Sequence, residues 1–283
     1  MTKAPVTAVV ITKNEEAAIE RCIRALDFCD QVLVIDSNST DRTAQVARGL
    51  GAEVIAFSWN GEYPKKKQWG MDHPSVRNNW VLHIDADEVV SPVLAQEIRS
   101  AVSAEGPDLA AYEIPIAYSF MGRRLRFGHR VVKRCLVHRT RARFPEVGDL
   151  GAPGITEVEG HYQPECDGQT GSLSNRLLHE DPDPLSDWID RHNRYSDWEA
   201  YLVSNPVIRS SVRERRTRGG RLFDALPFKP LVFFIYAYFL RLGFLDARPG
   251  LNYALALSWY YWLIGVKVRE LNRAQAAPVG HFR

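Results

Sequence analysis

The chain has 283 residues, of which 45% are hydrophobic and 25% are charged, and its formal net charge is +2. These values are ordinary for one or two globular domains and exclude a disordered, collagenous or fibrous chain. A charge so close to zero argues against nucleic acid as the main partner. The four cysteines include no CxxC pair, so a disulfide framework or a cysteine zinc site is not expected, and a reducing cytosol fits best.

Charge is unevenly distributed along the chain. From Asp187 to Arg283 there are 15 Lys or Arg and 8 Asp or Glu. A mildly acidic N-terminal part is therefore followed by a basic, aromatic-rich C-terminal part. The first ten residues lack the cationic and apolar regions of a secretory signal, and no apolar run reaches the ~18 residues of a membrane-spanning helix. We therefore expect neither a secretory signal nor a clear spanning helix.

The front half alternates apolar runs of strand length with amphipathic segments. Four runs predict buried strands: Val6–Thr12, Gln31–Ile35, Ala52–Phe57 and Trp80–Ile84. Helices are expected between and after them, the first with Asn14 as a candidate N-cap, the second over Asp41–Leu50 and ended by Gly51, and the last begun by Ser91 and Pro92. This order predicts an α/β fold, with a mostly parallel sheet covered by helices on both faces.

The pattern weakens between residues 110 and 179. Tyr112–Tyr118 is a candidate strand, and the arginine-rich stretch Arg123–Arg143 contains only short strand-like pieces. We predict that this irregular region completes a first domain over residues 1–185. A second, helical domain over residues 186–283 begins with an amphipathic helix at Asp187–Leu202.

Polar side chains stand at the carboxyl ends of the predicted strands, where parallel sheets place their ligands. Thr12 and Asp36 lie at two of these ends, and Asp85 and Asp87 follow a third strand. Paired carboxylates supply the oxygen ligands that Mg²⁺ and Mn²⁺ share with a diphosphate. Two acids after a strand are usually only solvated, but Asp36 at the same edge favours a metal and nucleotide site.

Two further segments carry candidate ligand contacts. Small hydroxyl residues follow Asp36; we expect Ser39–Asp41 to cap the next helix and Asp36 to contact a base or a ribose. The lysines at positions 65–67 either neutralise phosphate or form a solvated charge run.

Four of these segments together resemble one enzyme family. The segments VTAVVITKNEE, VLVIDSNSTDRT, KKKQ and HIDADE have the order and spacing of family 2 glycosyltransferases of the GT-A (Rossmann-like) fold, strongly over residues 6–102 and more loosely beyond. The similarity is greatest to bacterial lipopolysaccharide-core β-1,4-glucosyltransferases. It implies an inverting, Mg- or Mn-dependent transfer from a nucleotide-sugar, usually a UDP-sugar such as UDP-glucose, to a lipid-linked or lipopolysaccharide-type glycan.

The resemblance implies roles for individual residues in binding the nucleotide-sugar. Thr12 and Asn14 match residues near the base, and Asp36 matches the aspartate that contacts it. Lys67 stands where the family often has arginine. Lysine has the same positive charge toward the nucleotide, but it lacks the planar guanidinium that makes two parallel hydrogen bonds to a phosphate. Asp85 belongs to the same site.

The resemblance also implies a metal site. Asp85 and Asp87 match the DxD motif, with Asp87 preferred as the direct metal ligand. GT-A enzymes often have a histidine near the end of the domain that completes the metal shell, and His179 matches it. The alternative for His179 is a structural role.

An inverting transfer needs a carboxylate that deprotonates the acceptor hydroxyl. In related enzymes an acidic residue lies in the segment that corresponds to residues 155–161. Here Glu157 and Glu159 are two residues apart and would point the same way in a strand. Glu159 is preferred over Glu157, and Glu146 is a distant third. The alternative is that both are surface glutamates.

The C-terminal part combines six arginines within Arg209–Arg221 with two apolar, aromatic-rich runs. The first is Leu226–Leu240, which Arg241 separates from Leu242–Leu245, and the second is Leu251–Val266. Each run is too short to span a ~30 Å hydrocarbon core comfortably. Aromatic side chains beside arginines suit the boundary of an anionic membrane. We predict a peripheral protein at the cytoplasmic face of the inner membrane. The alternatives are a helical hairpin packed on the catalytic domain and a homodimer interface.

Two other functions agree less well with the sequence than glycosyl transfer does. A sugar-nucleotide nucleotidyltransferase needs a basic, glycine-rich loop after its first strand, whereas residues 11–16 (ITKNEE) contain two acids and no glycine. An inactive membrane scaffold of the same fold would not need Asp36, Asp85 and Asp87, which are all present.

Overall fold

The computed structural model describes residues 2–104, 108–146, 163–180, 184–205, 223 and 225–276. The described residues fall into two compact units: an N-terminal α/β unit, and a unit of C-terminal helices that includes the segment Leu125–His129. The expected domain division between residues 185 and 186 stays a prediction, because contacts within a folded chain do not test whether either part folds alone.

In the described residues, the first unit contains a mixed ten-stranded sheet, a separate two-stranded sheet of β9 and β10, and four helices. Its strands are β1 Ala4–Thr12, β2 Cys29–Asp36, β3 Glu53–Ala56, β4 Trp80–Asp85, β5 Glu88–Val89, β6 Leu109–Phe120, β7 Arg123–Arg124, β8 Val132–His138, β9 Ala142–Arg143, β10 Glu165–Cys166, β11 Gln169–Ser172 and β12 Leu177–His179. Its helices are α1 Ile19–Arg24, α2 Thr43–Gly49, α3 Lys66–Asp72 and α4 Pro92–Ser103.

The main sheet runs in the order β3-β2-β1-β4-β8-β6-β12-β5. The first four strands in this order are parallel, and β8 is antiparallel to both of its neighbours. The sheet has helices on both faces, since Val6, Ala8 and Val10 of β1 belong to one apolar cluster and Val9 packs with Met71 of α3 in another. The predicted α/β class is confirmed.

The region predicted as irregular contributes β6, β8 and β12 to the same sheet, so that expectation was wrong in detail. β8 carries charges that interrupt its apolar run, and they are paired across the sheet: Arg134 Nη2 donates to Glu113 Oε1 of β6 at 2.8 Å. A β-bulge also gives β8 one extra residue relative to β6. The adjacent residues Tyr112 and Glu113 of β6 pair with Leu136 and Arg134, which are two residues apart in β8. The extra residue breaks the two-residue alternation by which strands are recognised.

Helix boundaries follow the expected signals at two places. Gly51, with φ +85°, lies just beyond the end of α2, where a left-handed residue satisfies the last carbonyl groups. Ser91 precedes α4, and its Oγ accepts from Leu94 N at 3.3 Å. The Asn14 cap was wrong, because α1 begins at Ile19 after Ala18 and has no side-chain cap.

The second unit contains α5 Leu185–Ser204, α6 Lys229–Phe234 continued by a π-helix Ile235–Leu240, a 3-10 turn Gly243–Asp246, and α7 Ala247–Ala276. Lys267 of α7 donates to the backbone and side-chain oxygens of Asn193 in α5, at 2.9 and 2.8 Å. The Asp246 carboxylate accepts from the backbone N of Arg126 and Phe127, at 2.9 and 2.8 Å.

None of the helices in the described ranges is by itself long and apolar enough to cross a membrane. The segments Lys229–Leu240 and Gly243–Ala274 reach the required length and hydropathy only as a pair, and that pair is bent by 72°.

Candidate active site

The strand register brings the polar strand ends together. Thr12 of β1 lies opposite Asp36 of β2, and Ile11 lies opposite Asp85 of β4. Ser37 N also donates to Thr12 O at 3.0 Å, which continues the pairing beyond the last residue of β2. Thr12, Asp36 and Asp85 therefore share one edge of the sheet, as the sequence predicts.

Asp36 is buried, with 6% of its surface exposed, and it supports its own turn. Its carboxylate accepts from Ser39 N at 3.0 Å and from Ser39 Oγ at 2.5 Å. At the start of α2, Asp41, one of the residues expected to cap this helix, accepts from Thr43 N at 3.0 Å. The turn holds the Asp36 side chain in one orientation.

Asn14 ties two loops of this edge together. Its Oδ1 accepts from Thr40 N at 2.8 Å, and its own backbone N donates to Ser39 Oγ at 2.8 Å. Its φ of +56° is in the left-handed region, which asparagine tolerates better than most residues. Asn14 thus fixes the shape of the loops on which a nucleotide would rest.

Thr12 has a buried hydroxyl without a hydrogen-bond partner among the described residues, and only 3% of the residue is exposed. An unpaired polar atom in the interior costs stability. A hydroxyl of this kind at the ligand edge of a parallel sheet is a ready partner for a bound molecule.

Asp85 belongs to a network of three charged side chains. Lys133 Nζ of β8 donates to Asp85 Oδ2 and to Glu88 Oε2, each at 2.7 Å. Glu88 Oε2 also accepts from the backbone N of Asp85 at 2.9 Å. The exposed side-chain fractions are 36% for Asp85, 14% for Lys133 and 2% for Glu88.

The network shifts the pKa of each member. Burial opposes the charge on Asp85, but the ammonium groups of Lys133 and then Lys67 outweigh it and hold the pKa of Asp85 well below its ordinary value. Burial likewise disfavours the charge on Lys133, yet Asp85 and Glu88 raise the pKa of Lys133 well above its ordinary value. Burial raises the pKa of Glu88 despite the neighbouring ammonium. Asp85 and Lys133 are therefore an ion pair at neutral pH.

Sequence reasoning missed Lys133 and Glu88. Glu88 follows directly after the DxD motif, so its place in HIDADE was a usable signal. Lys133 lies 46 residues beyond Asp87 in the sequence, and the bulge in β8 hides the direction of its side chain.

Asp87 and His179 meet although they are far apart in the sequence. β12 pairs antiparallel with β5, which places His179 opposite Glu88, and Glu180 N donates to Asp87 O at 3.0 Å. His179 Nδ1 lies 3.4 Å from Asp87 Oδ1. The ring of Tyr118 packs edge-on against the imidazole of His179, with 5.0 Å between the ring centroids.

The pair of Asp87 and His179 has donors that fit a divalent cation. Both side chains remain accessible, with 20% and 25% exposed. Within the described ranges no three or more His, Cys, Asp or Glu residues form a complete metal cage. Mg²⁺ is typically bound by one or two carboxylates together with substrate phosphates, so the donor set fits a cation that is shared with a diphosphate.

Lys67 and His83 complete the surroundings of Asp85. Lys67 lies on α3, and its charge acts on both Asp85 and His83. His83 of β4 is 1% exposed, and neither ring nitrogen has a hydrogen-bond partner in the described part of the chain. Burial, and then the charges of Lys67 and Lys133, lowers the pKa of His83 to about 3, so its imidazole is neutral.

The catalytic-base candidates Glu157 and Glu159 fall within residues 147–162, which lie outside the described residues. Their assignment stays a prediction. Glu146, the third candidate, is exposed.

Residues 7–151 of the chain match the family model described as "Glycosyl transferase family 2". The match covers half of the chain and includes Asp36, Lys67, Asp85 and Asp87. The chain belongs to glycosyltransferase family 2. It is therefore a transferase with the GT-A fold, and the resemblance stated from the sequence motifs is confirmed.

This family 2 glycosyltransferase is similar to proteins from several bacteria. It is 26% identical over 293 residues to the "Lipopolysaccharide core biosynthesis glycosyltransferase LpsC" of Rhizobium meliloti, with 98% of this chain and 96% of the relative covered. It is 40% identical over 113 residues to an "Uncharacterized glycosyltransferase" of Rickettsia bellii, a match that spans 39% of this chain and only 37% of the relative.

Among solved structures, the chain is similar to the mannosyltransferase PcManGT from Pyrobaculum calidifontis in complex with GDP-Man and Mn²⁺. The TM-score is 0.49 at 15% identity, with 95% of this chain and 88% of that chain covered.

Proposed function

We propose that this glycosyltransferase transfers a sugar, with inversion, from a nucleotide-sugar to a lipid-linked or lipopolysaccharide-type glycan. The donor is a UDP-sugar such as UDP-glucose, and Mg²⁺ or Mn²⁺ is the cofactor. Glu159 is the preferred catalytic base, with Glu157 as the alternative. The observation that carries the proposal is that Asp36 and Asp85 lie at the carboxyl ends of parallel strands of the mixed sheet, and that Asp87, two residues after Asp85, meets His179.

The nucleoside and the diphosphate of a nucleotide-sugar each have a counterpart at this edge. The unpaired hydroxyl of Thr12 and the fixed carboxylate of Asp36 are available to the nucleoside. Lys67 supplies positive charge for the diphosphate. When bound, the divalent cation would be held by Asp87 and His179 and would neutralise charge on the departing diphosphate.

The proposed acceptor follows from the relative that covers the chain almost completely. LpsC is described as a lipopolysaccharide core biosynthesis enzyme, and its match extends over the C-terminal helices as well as the sheet. A glycan acceptor that is anchored in a membrane would bring the enzyme to that surface.

A stripe of exposed apolar side chains in the second unit supports a membrane surface as partner. Its members are Leu231, Ile235 and Phe239, which lie in α6 and the π-helix that continues it, and Phe228 and Leu242, which flank these two segments. The opposite face is buried, since Phe233 and Ala237 pack with Ala254 of α7. We propose that this stripe rests on the cytoplasmic leaflet of the inner membrane.

The donor assignment is tested by thermal unfolding with UDP, GDP, CDP and dTDP, each with Mn²⁺ and with EDTA. A ligand that binds only the folded state raises the unfolding temperature. We expect a Mn²⁺-dependent increase with UDP that exceeds the others. A larger increase with another nucleotide would correct the donor class, and no increase with any would favour the inactive scaffold.

The metal assignment is tested by Asp87→Ala in the same assay. We expect the increase with UDP and Mn²⁺ to disappear, because the variant removes the carboxylate that binds the cation. The matched control is Asp72→Ala, which removes another carboxylate of the first unit and leaves the Asp87–His179 pair intact. An unchanged UDP–Mn²⁺ increase in Asp87→Ala would remove Asp87 from the metal site.

A further inference from the structure

A lysine lies inside the acidic cluster that begins with the DxD motif. Lys133 Nζ bonds to Asp85 and to Glu88 at equal distances of 2.7 Å. One oxygen, Glu88 Oε2, also holds the backbone N of Asp85. The ammonium group thus bridges two carboxylates that stand three residues apart in the chain.

Without the Lys133 ammonium group, a metal ion could bind at the same position between Asp85 and Glu88. Two carboxylates brought to one point, one of them almost completely buried, repel each other unless a cation lies between them. In this structure Lys133 supplies that cation, from a different strand. A divalent ion on the same oxygens would stand beside the ammonium, and like charges at that distance repel strongly.

The second acidic position is different. Asp87 and His179 face each other at 3.4 Å, and neither is bonded to Lys133 in the network described above. Two donors hold a divalent cation weakly on their own, so its retention there depends on the oxygens of a diphosphate. The cluster therefore contains two carboxylates that Lys133 neutralises, Asp85 and Glu88, and a second pair of candidate metal donors, Asp87 and His179.

We propose that Lys133 is a positioning residue that occupies the cation place between Asp85 and Glu88 and so prevents these two carboxylates from binding a metal without nucleotide. Metal binding is thereby confined to Asp87 and His179, where it requires the donor. This inference deepens the proposed function of the same site and rests on it for the role of the diphosphate.

The test is Mn²⁺ binding in the absence of nucleotide, measured for the full chain by the electron paramagnetic resonance signal of free Mn²⁺. We expect Lys133→Gln to bind Mn²⁺ about tenfold more tightly than the unmodified protein, within the range typical for changes beside a metal site. The double variant Lys133→Gln/Glu88→Gln should lose this gain, because one of the two carboxylates is removed. Equal Mn²⁺ affinity in Lys133→Gln and the unmodified protein would overturn the proposal.

Lys133→Gln leaves an uncompensated buried charge, which destabilises a fold. The same variant is therefore also unfolded thermally with Mn²⁺ and with EDTA. We expect Mn²⁺ to restore its unfolding temperature, because the ion replaces the missing ammonium. A variant that stays unfolded, or equally unstable, in Mn²⁺ would contradict the proposal.

Lys267→Gln is the matched control. Lys267 has 15% of its side chain exposed, against 14% for Lys133, and pairs with Asp197 in the second unit. Its loss should lower stability without any gain in Mn²⁺ affinity and without rescue by Mn²⁺. The proposed function and the role of Lys133 are tested by different measurements. If UDP does not stabilise the unmodified protein, the proposed function is rejected. The Mn²⁺ affinities measured without nucleotide still show whether Lys133 blocks metal binding.

Discussion

Two threonines of β1 are both buried, but only one has a paired hydroxyl. Thr7 Oγ1 donates to Gln31 Oε1 at 2.8 Å, whereas Thr12 Oγ1 has no partner among the described residues. Thr12→Val should leave the free energy of unfolding unchanged or raise it by up to ~1 kcal/mol, because no hydrogen bond is lost. Thr7→Val should lower it by about 1–3 kcal/mol, since Gln31 Oε1 loses one of its two donors and Asn78 N loses the hydroxyl to which it donates.

The same two variants report on ligand binding. Thr12→Val should weaken UDP binding about tenfold, if its hydroxyl bonds to the nucleotide at a typical ~1.4 kcal/mol. Thr7→Val should bind UDP normally once folded. Isothermal titration of both variants in Mn²⁺ measures the difference, and equal UDP affinities for Thr12→Val and the unmodified protein would exclude that contact.

His83 couples the stability of the protein to pH. Its folded-state pKa of about 3 lies below the ordinary value of 6.5, so the unfolded chain binds a proton that the folded chain does not. Stability from this residue is present above pH 6.5 and is lost as the pH falls towards 3, at up to about 1.4 kcal/mol per pH unit. His83→Leu should therefore lose less stability between pH 6.5 and pH 5 than the unmodified protein.

The measurement is urea unfolding at both pH values in EDTA, where bound metal cannot contribute. The matched control is His138→Leu, a more exposed histidine whose pKa is lowered by burial and by the charge of Arg141. It should alter the pH dependence less than His83→Leu does. Identical slopes for His83→Leu and the unmodified protein would show that His83 is not buried in its neutral form.

At the scale of elements, the contact between the first turn of α7 and the preceding 3-10 turn depends on Gly250. A Cβ at Gly250 would overlap the backbone carbonyl oxygen of Gly243, and neither backbone group can move away cheaply. Gly265 lies in the same helix and has nothing within 4 Å of such a Cβ. Gly250→Ala should destabilise the second unit strongly, whereas Gly265→Ala should stabilise the helix by about 0.5–1 kcal/mol.

Thermal unfolding of the two glycine variants decides this prediction. The expected order of unfolding temperatures is Gly265→Ala, then the unmodified protein, then Gly250→Ala. An unfolding temperature of Gly250→Ala equal to that of the unmodified protein would mean that the 3-10 turn and α7 are not in close contact at this point.

The strands and helices with a regular apolar pattern could be predicted from the sequence, and so could the edge at which Thr12, Asp36 and Asp85 meet. The local pattern could not predict the two contacts that complete the site. Lys133 lies beside a bulge, and β12 has only three residues, too few to establish a two-residue period. Both positions depend on pairing between distant segments, which single-sequence patterns do not encode.

At the scale of the whole molecule, the stripe of exposed apolar residues and the basic C-terminal segment predict binding to anionic membranes. The protein should sediment with phosphatidylglycerol vesicles and much less with phosphatidylcholine vesicles. Phe228 and Leu231 belong to this stripe and are 80% and 59% exposed, so Phe228→Ser/Leu231→Ser should weaken binding about tenfold or more by loss of apolar burial. Raising the salt from about 0.05 to about 0.5 M should weaken it as well.

Val93→Ser is the control, because Val93 is 61% exposed but belongs to the first unit. It should sediment like the unmodified protein. A homodimer formed through the same stripe is the competing outcome. If the protein is such a dimer, sedimentation without vesicles would give twice the mass of one chain, and the double serine variant would give the mass of one chain. Vesicle binding would then be weak for the unmodified protein and for the variant alike.

The pairing of β12 with β5 also has a consequence for the order of events during protein synthesis. Domains begin to fold from the N-terminus while the rest of the chain is still being made. Asp85 and Asp87 emerge from the ribosome about 90 residues before His179, and strands β1 to β4 can already associate at that stage. The short strand that carries His179 joins the edge only later, so the nascent chain passes through a stage in which the proposed metal site lacks one of its two donors. Under the proposed function, donor turnover therefore starts only after most of the chain has been translated.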